Sequence, residues 1–308
     1  MFQMTFKNNI KNIAIIGLGL IGGSLAKALK GKGFSITGIT KSPKTIRLAL
    51  KEKAISRGFT KLSSKALENI DIVFICTPLP LIKDYLNKIS KLNLKNRIII
   101  TDVGSTKSEI CKYAKKIFST QYSIPHTQYS FIGGHPMAGT EKSGFTASEK
   151  DLFKNRAWIL TPTKKDNSTL NKLKTIINKV GGIPIITTPE EHDRAVALVS
   201  HLPLLASIGL CQITKESNFN KLASIIASSG FRDTTRIAGG NSEMNSNLLL
   251  SNSIELQKLL PVYLKGLNNL LKMAKTKSTN LYKKLNIVSD WRNQLYNSRG
   301  KNNLLKTW

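Results

Sequence analysis

Acid is what this chain has least of for its size: 18 Asp and Glu stand against 47 Lys and Arg in 308 residues, a formal charge of +29. A balance that basic raises nucleic acid or another polyanion as a partner. The lysines, however, are scattered along the whole chain among many Asn and Ile, and no aromatic-and-basic stacking cluster or nucleic-acid motif accompanies them. Compositional drift accounts for the excess, so nucleic acid is not the expected partner; a positive field that draws in an anionic cofactor and substrate remains open. Cysteine is also scarce. Cys76, Cys111 and Cys211 are odd in number and widely spaced, which excludes a disulfide framework and a zinc site and points to a reduced, cytoplasmic protein with no metal. No apolar run approaches the roughly 20 residues of a membrane span, and the polar residues before the first apolar segment do not read as a secretion signal. A soluble protein with no membrane partner is expected.

The length allows two cores rather than one. Ile13-Ala14-Ile15-Ile16 reads as a buried strand, followed by Gly17-Leu18-Gly19-Leu20-Ile21-Gly22-Gly23 and a helical pattern to Leu29. Further strands are expected at Ser35 to Thr40, Asp71 to Cys76 and Arg97 to Thr101, then near Phe131, Ala157 to Leu160 and Ile183 to Ile186. Helical segments fill the gaps, so the alternation predicts an α/β, Rossmann-type parallel sheet covered on both faces. Pro189-Glu190-Glu191 opens a helix, and no comparable strand follows it. The expected organisation is therefore a dinucleotide-binding domain over 1–188 and an all-α domain over 189–308 with a basic C-terminal tail. Its helices are expected at about Pro189 to Thr214 with a kink at Pro203, at Asn218 to Ser228, Asn247 to Leu259 and Pro261 to Lys277, with weak order beyond.

A lone GxGxxG is weak evidence, but Gly17, Gly19 and Gly22 lie between a strand and a helix. There the first glycine permits the turn, the second admits a pyrophosphate and the third lets the helix pack closely. Gly17, Leu18, Gly19, Leu20, Ile21 and Gly22 are the candidate cofactor turn, with Thr77 and Pro78 at the end of the third apolar run. An acid at the end of the second strand would bind the ribose hydroxyl of NAD. None exists between Gly17 and Glu52; Thr40, Lys41 and Ser42 stand there instead, followed by Lys44 and Arg47. A hydroxyl, an ammonium and a guanidinium suit a 2′-phosphate, so NADP is the expected cofactor, although the lysines also follow the general excess.

Asp102-Val103-Gly104-Ser105-Thr106-Lys107 follows a strand directly and should sit at the carboxyl edge of the sheet. His135 stands in a loop too glycine-rich to be core, Gly133-Gly134-His135-Pro136-Met137-Ala138-Gly139, after another strand. Farther on come Glu191-His192-Asp193, Ser200-His201-Leu202-Pro203 and Phe231-Arg232-Asp233-Thr234-Thr235-Arg236. This ordered set resembles the prephenate and arogenate dehydrogenases of tyrosine biosynthesis, along almost the whole chain to about Lys277.

The resemblance implies an oxidative decarboxylation in which a hydride passes to the nicotinamide, a His takes the hydroxyl proton and the ring carboxylate leaves as carbon dioxide. His135 matches the catalytic His, and Ser105 the serine that hydrogen-bonds it; a helix cap is the plainer reading of Ser105. Arg236 matches the arginine that binds the substrate carboxylate, with an ion pair to Asp233 as its alternative, and Arg232 is a possible second cation. Ser200 and His201 match pocket residues from the helical domain, and Glu141 matches a pocket carboxylate. His192 is read as structural, helping to cap its helix. Prephenate-using relatives often carry a further His where this chain has Leu204, so Leu204, Glu141 and the NADP-like second strand together favour arogenate; prephenate dehydrogenase is the rival. A nucleotide-sensing or nucleic-acid-binding protein without catalysis is the alternative of another class. The family usually dimerises through its helical domain, and Leu248-Leu249-Leu250, Leu256, Leu259 and Leu260 could serve a homodimer or pack within the chain. The tail is too short for a fused regulatory or mutase domain.

Overall fold

Successive side chains of a strand point to opposite faces, and β1 (Asn12–Ile16) shows why this sheet is buried on both. Ile13 and Ile15 pack into one apolar layer, Ala14 and Ile16 into the other, and all four are fully enclosed. The computed structural model describes residues 10–92, 94, 97–119, 129–140, 142–162 and 167–300. After β1 come α1 (Leu20–Leu29), β2 (Ser35–Ile39), α2 (Pro43–Lys51), β3 (Arg57–Phe59), β4 (Ile72–Ile75), α3 (Leu79–Ser90), β5 (Ile98–Asp102), α4 (Ser108–Ser119), β6 (Tyr129–Pro136), β7 (Ala157–Pro162), α5 (Asn167–Lys179) and β8 (Ile183–Ile186). One face is covered by α1 and α5 through Leu25, Leu29, Leu173, Ile176 and Ile177. The other is covered by α3 and α4 through Ile82, Leu86, Ile89, Ile110 and Ala114. Each fully buried Ile or Leu contributes about 1.5–3 kcal/mol, so these two layers dominate the stability of the unit.

The strands form one sheet in the order β3-β2-β1-β4-β5-β6-β7-β8. From β3 to β6 all pairs are parallel, as the alternation predicts. The last two strands depart from that expectation, because β7 runs antiparallel to β6, and β8 follows β7 in parallel. The link from β6 to β7 holds only a short 3-10 turn, Phe145–Ala147, among its described residues, rather than a crossover helix. A chain that returns without crossing the sheet pairs antiparallel.

The chain divides into two compact units, Met1–Asp193 and Arg194–Trp308. This division by contacts falls inside α6 (Pro189–Val196). In the second unit a single π turn, Ala197–His201, follows α6 and leads into α7 (Leu202–Glu216). The expected kink at Pro203 is thus met one turn earlier, where the missing proline N–H and its ring displace the regular ladder. By length and composition alone the run Pro189–Glu216 is apolar enough to cross a membrane, contrary to the sequence expectation; it also encloses the buried polar side chains of His201 and Ser207.

Beyond it lie α8 (Asn220–Ile226), α9 (Ser229–Thr235), a 3-10 turn (Arg236–Gly239), α10 (Ser242–Ser251), α11 (Ser253–Lys275) and α12 (Asn280–Gly300). The expected break at Pro261 lies instead at Asn252, a buried residue in non-helical conformation, and α11 runs through the exposed Pro261. Of the stretch beyond Lys277 where weak order is expected, 301–308 lie outside the described residues and Asn280–Gly300 forms α12. Ser278 Oγ accepts the Asn280 amide at its start, and no Pro or Gly interrupts it before Gly300.

The glycine turn sets a sharp stability test. A Cβ on Gly22 would lie 2.0 Å from the Gly17 carbonyl oxygen, whereas one on Gly19 would meet nothing within 4 Å. Gly22→Ala should cost about 1–3 kcal/mol in denaturant unfolding through overpacking, and Gly19→Ala about 1 kcal/mol or less. Equal costs would contradict the packing described.

Candidate active site

The carboxyl ends of the parallel strands define one edge. Ile39, Ile16, Ile75 and Asp102 are in register across β2, β1, β4 and β5. The chain leaves β1 toward β2 on one side and returns as β4 on the other, so a crevice opens between β1 and β4 at that edge. The glycine turn fills its floor. Gly17 has φ +92, and a Cβ there would lie 2.5 Å from the Cys76 carbonyl oxygen, so no other residue fits without strain. Its amide donates to Ile39 O at 2.8 Å, which ties the turn to the end of β2. Gly19 caps α1 with no side chain over the helix N-terminus, and the first turn holds no acid. Leu18 is buried beneath the turn, while Leu20 and Ile21 are half-buried at the start of α1. Thr77 Oγ1, just past β4, is buried without a hydrogen-bond partner, and Pro78 is exposed at the start of α3. A glycine turn with no side chain over it, a positive helix end and an orphaned hydroxyl fit an extended anion such as a dinucleotide pyrophosphate.

At the end of β2 the expected residues stand together. Thr40 donates its amide to Phe59 O at 3.0 Å, and Ser42 Oγ accepts the Thr45 amide at 3.2 Å as the cap of α2. Lys41, Lys44 and Arg47 are exposed, and the first turn of α2 contains no acid. Among the described residues, those at the end of β2 and the start of α2 are cationic or neutral, beside a helix N-terminus.

His135 belongs to β6 itself, not to a loop, and pairs with Ile159 of β7. The glycines before it are what permit this: Cβ atoms on Gly133 and Gly134 would lie 2.4 Å from Thr161 Oγ1 and 2.5 Å from Asp102 O. Beneath them Asp102 and Lys107, both with no exposed surface, form an ion pair. Asp102 also accepts the amides of Gly104 at 2.8 Å and Gly134 at 3.2 Å, and Lys107 Nζ donates to Gly134 O at 2.8 Å. Both polar groups of the residue preceding His135 are thereby held by one buried pair. Nearby thiols are inert: burial, with the charge of Asp102 adding to it, pushes the Cys76 thiol far up, and burial pushes Cys111 up to about 11.

His135 Nδ1 lies 2.9 Å from His192 Nε2, the rings crossing at 76°. His192 Nδ1 lies 2.8 Å from Asp193 Oδ1. Asp193 further accepts the backbone amides of Lys107 at 2.7 Å and Ser108 at 2.8 Å, capping α4 from a distance of 86 residues in sequence. The expected capping role of His192 is overturned, for Thr188 and Glu191 form a reciprocal capping box at the start of α6 instead. Sequence reasoning also missed Lys107 and Asp193; the only signal was their place in polar runs beside matched residues. Ser105 is half-buried just beyond β5 and makes no hydrogen bond to His135, nor does it cap α4, whose first amides go to Asp193.

The second unit carries the remaining candidates. Ser200 and His201 lie on the π turn, His201 with no exposed surface and its Nδ1 3.1 Å from Asn252 Nδ2. Leu204 is buried one turn on. Ser207 Oγ of α7 accepts the Ala238 amide at 3.2 Å and so fixes the turn that begins with the exposed Arg236. Asp233 pairs with Arg232 at 2.9 Å on the surface. Glu141 lies outside the described residues.

The profile for "Prephenate dehydrogenase, nucleotide-binding domain" matches residues 25–187, and that for "Prephenate dehydrogenase, dimerization domain" matches residues 188–286. Prephenate dehydrogenase of Bacillus subtilis (strain 168) is 32% identical over 294 residues, 94% of this chain and 77% of that protein. Cyclohexadienyl dehydrogenase of Zymomonas mobilis is 29% identical over 266 residues, 84% of this chain and 87% of that protein. The crystal structure of Synechocystis arogenate dehydrogenase matches with a TM-score of 0.81 and 34% identity, over 92% of this chain and 99% of that one. That of A. aeolicus prephenate dehydrogenase with hydroxyphenyl propionate and NAD+ gives 0.80 and 30%, over 93% and 99%.

Burial alone would raise the Asp193 carboxyl, but hydrogen bonds from His192, Ser108 and Lys107 outweigh it and hold the group below its ordinary 3.8. A depressed carboxyl contributes stability that is complete above the unfolded-state value and lost as pH falls through the native one. Asp193→Asn should therefore lower unfolding stability by about 1–3 kcal/mol near neutral pH, with the gap closing below about pH 4. Chemical denaturation across pH checks this; a gap independent of pH would refute it.

Proposed function

The chain belongs to the prephenate dehydrogenase family, and from that premise we propose that it oxidatively decarboxylates arogenate to tyrosine with NADP as hydride acceptor. The carrying observation is an imidazole held on a rigid strand end at the sheet edge that also bears the glycine turn. When bound, the nicotinamide accepts the hydride from the ring carbon that bears the hydroxyl. His135 takes the hydroxyl proton as the hydride leaves, a role open to an imidazole because its ordinary pKa of about 6.5 leaves it mostly neutral near pH 7. The bond to the ring carboxylate then breaks, carbon dioxide departs, and the electron pair completes the aromatic ring and returns negative charge to the oxygen. His135 gives the proton back to that oxygen, so no net proton is taken up.

Arg236, and secondarily Arg232, are proposed to hold the substrate carboxylates through guanidinium forks. Ser200 and His201 are proposed to line the substrate pocket, Ser105 to contact the substrate hydroxyl and Glu141 to pair with the amino group of arogenate. The buried Leu204, where prephenate-using relatives often carry His, favours the same substrate. Thr40, Lys41 and Ser42, with no acid beside them, favour the 2′-phosphate of NADP; Gly17, Leu18, Gly19, Leu20, Ile21, Gly22, Thr77 and Pro78 are proposed to hold the rest of it. Prephenate dehydrogenation is the second reading, favoured by the names of the Bacillus and Aquifex relatives.

A homodimer through the helical unit is also proposed. Residues 188–286 match the family's dimerization domain, and Leu250, Ile254 and Val262 expose about two-thirds of their surface, at 70%, 67% and 67%. Leu256, by contrast, is spent on the unit's own core, with 6% exposed.

Steady-state assays crossing arogenate and prephenate with NADP and NAD should give the highest kcat/KM for arogenate with NADP. A preference for prephenate, or for NAD, would overturn the corresponding half of the proposal. His135→Asn should lower kcat by about 10²- to 10⁴-fold while NADP binding stays unchanged; undiminished turnover removes His135 from the chemistry. Sizing in solution should give twice the mass of one chain, and a strict monomer would exclude the dimer.

A further inference from the structure

A base that accepts one proton needs its other ring nitrogen committed, and the structure shows where that commitment ends. An ionised carboxylate only accepts hydrogen bonds, so the 2.8 Å contact to Asp193 Oδ1 makes His192 Nδ1 a donor. The neutral His192 ring then has its lone pair on Nε2, 2.9 Å from His135 Nδ1. His135 Nδ1 must therefore carry the hydrogen, which leaves the lone pair of His135 on Nε2. Three side chains and two backbone amides thus specify a single tautomer.

Resting on the reading of His135 as the proton acceptor, we infer that His192 and Asp193 complete a relay behind it. His192 positions the His135 ring in its Nδ1–H tautomer and shares the proton it gains. As the substrate O–H bond breaks, its proton bonds to His135 Nε2; the Nδ1–H proton shifts across the 2.9 Å contact to His192 Nε2, and the positive charge settles beside the Asp193 carboxylate. The sequence reverses when the proton is returned to the phenolic oxygen, so no oxidant, reductant or outside proton is consumed. His192 is only 3% exposed and Asp193 5%, so water cannot screen the charge that connects them. The neighbouring ionised groups on β5 and before α4, Asp102 and Lys107, neutralise each other. Glu190 and Glu191 stand at the exposed opening of α6, and Glu191 is engaged with Thr187 and Thr188. Asp193 is the carboxylate hydrogen-bonded to the His192 ring. His192 and Asp193 are positioning residues, since they act through His135.

The test uses the full chain with and without NADP. His192→Phe removes both ring nitrogens; His192→Gln restores an acceptor for His135 Nδ1 but cannot take up a proton. Expected are a fall in kcat of about 10²-fold or more for His192→Phe, within the range of general-base effects, and about tenfold recovery of that loss in His192→Gln. In both, the acid limb of kcat/KM should move to lower pH, because the Asp193 charge no longer favours the protonated base, while NADP affinity is unchanged. With four histidines in the chain, nitrogen-15 NMR of the unmutated protein reads the tautomer directly: His135 should appear as the Nδ1–H form. That measurement needs neither substrate nor a folded variant. An Nε2–H form of His135, or His192→Phe with unaltered kcat and pH profile, would overturn the relay. Failure of the underlying reading is distinguishable, because His135→Asn would then keep full turnover whatever the tautomer.

Discussion

Two opposite charges sealed from water at the carboxyl end of β5 govern the geometry of everything around them. Removing Asp102 and Lys107 from solvent is costly, and their attraction compensates only because each also satisfies backbone groups. Those groups belong to Gly104 and Gly134, the turn after β5 and the residue before His135. The pair therefore does more than hold two side chains together. It sets the end of one strand against the end of its neighbour and leaves the imidazole projecting from a position that packing has already decided. Gly133 and Gly134 follow from the same constraint, since side chains there would collide with Thr161 and Asp102.

Much of this architecture is legible in the sequence because it rests on local pattern. Continuous apolar runs announce β1, β4 and β5, and glycine spacing between a strand and a helix announces the phosphate cradle. What escapes is what tertiary contact decides. Nothing local shows that Asp193 caps a helix far behind it in sequence, or that His192 meets His135, 57 residues away. The reversal at β7 had a faint signal, the absence of helical periodicity between Pro136 and Ala157. Asn252 breaks a helix that Pro261 was expected to break, because a buried amide bonded to His201 outweighs an exposed ring whose only loss is one ladder bond. In the candidate site the matched residues fall in two groups, one at the sheet edge and one in the helical unit, and the sequence order alone carries no information on the hydrogen bonds within either.

The scarcity of acid acquires a specific meaning at the end of β2. Across the chain the excess of lysine is diffuse, yet at Lys41, Lys44 and Arg47 it coincides with a helix N-terminus. Counting charges cannot tell a compositional bias from a binding preference; what the backbone adds is that these cations stand at the end of β2, the strand whose last carbonyl accepts the Gly17 amide. Two of the few acids, Asp102 and Asp193, are buried and multiply hydrogen-bonded; one holds the backbone before His135, the other the ring of His192.

The reversed pairing of β6 and β7 has a mechanical consequence. From Ile132 to Pro136 the strand is laddered to a neighbour running the other way, so the backbone under the imidazole is held by strand pairing past the point where β5 ends. A ring carried on a loop would drift by thermal motion and have to be gathered into place at each turnover. Here that organisation is complete before any ligand arrives, and whatever must yield to admit a molecule and let its product go has to be sought in segments other than this strand.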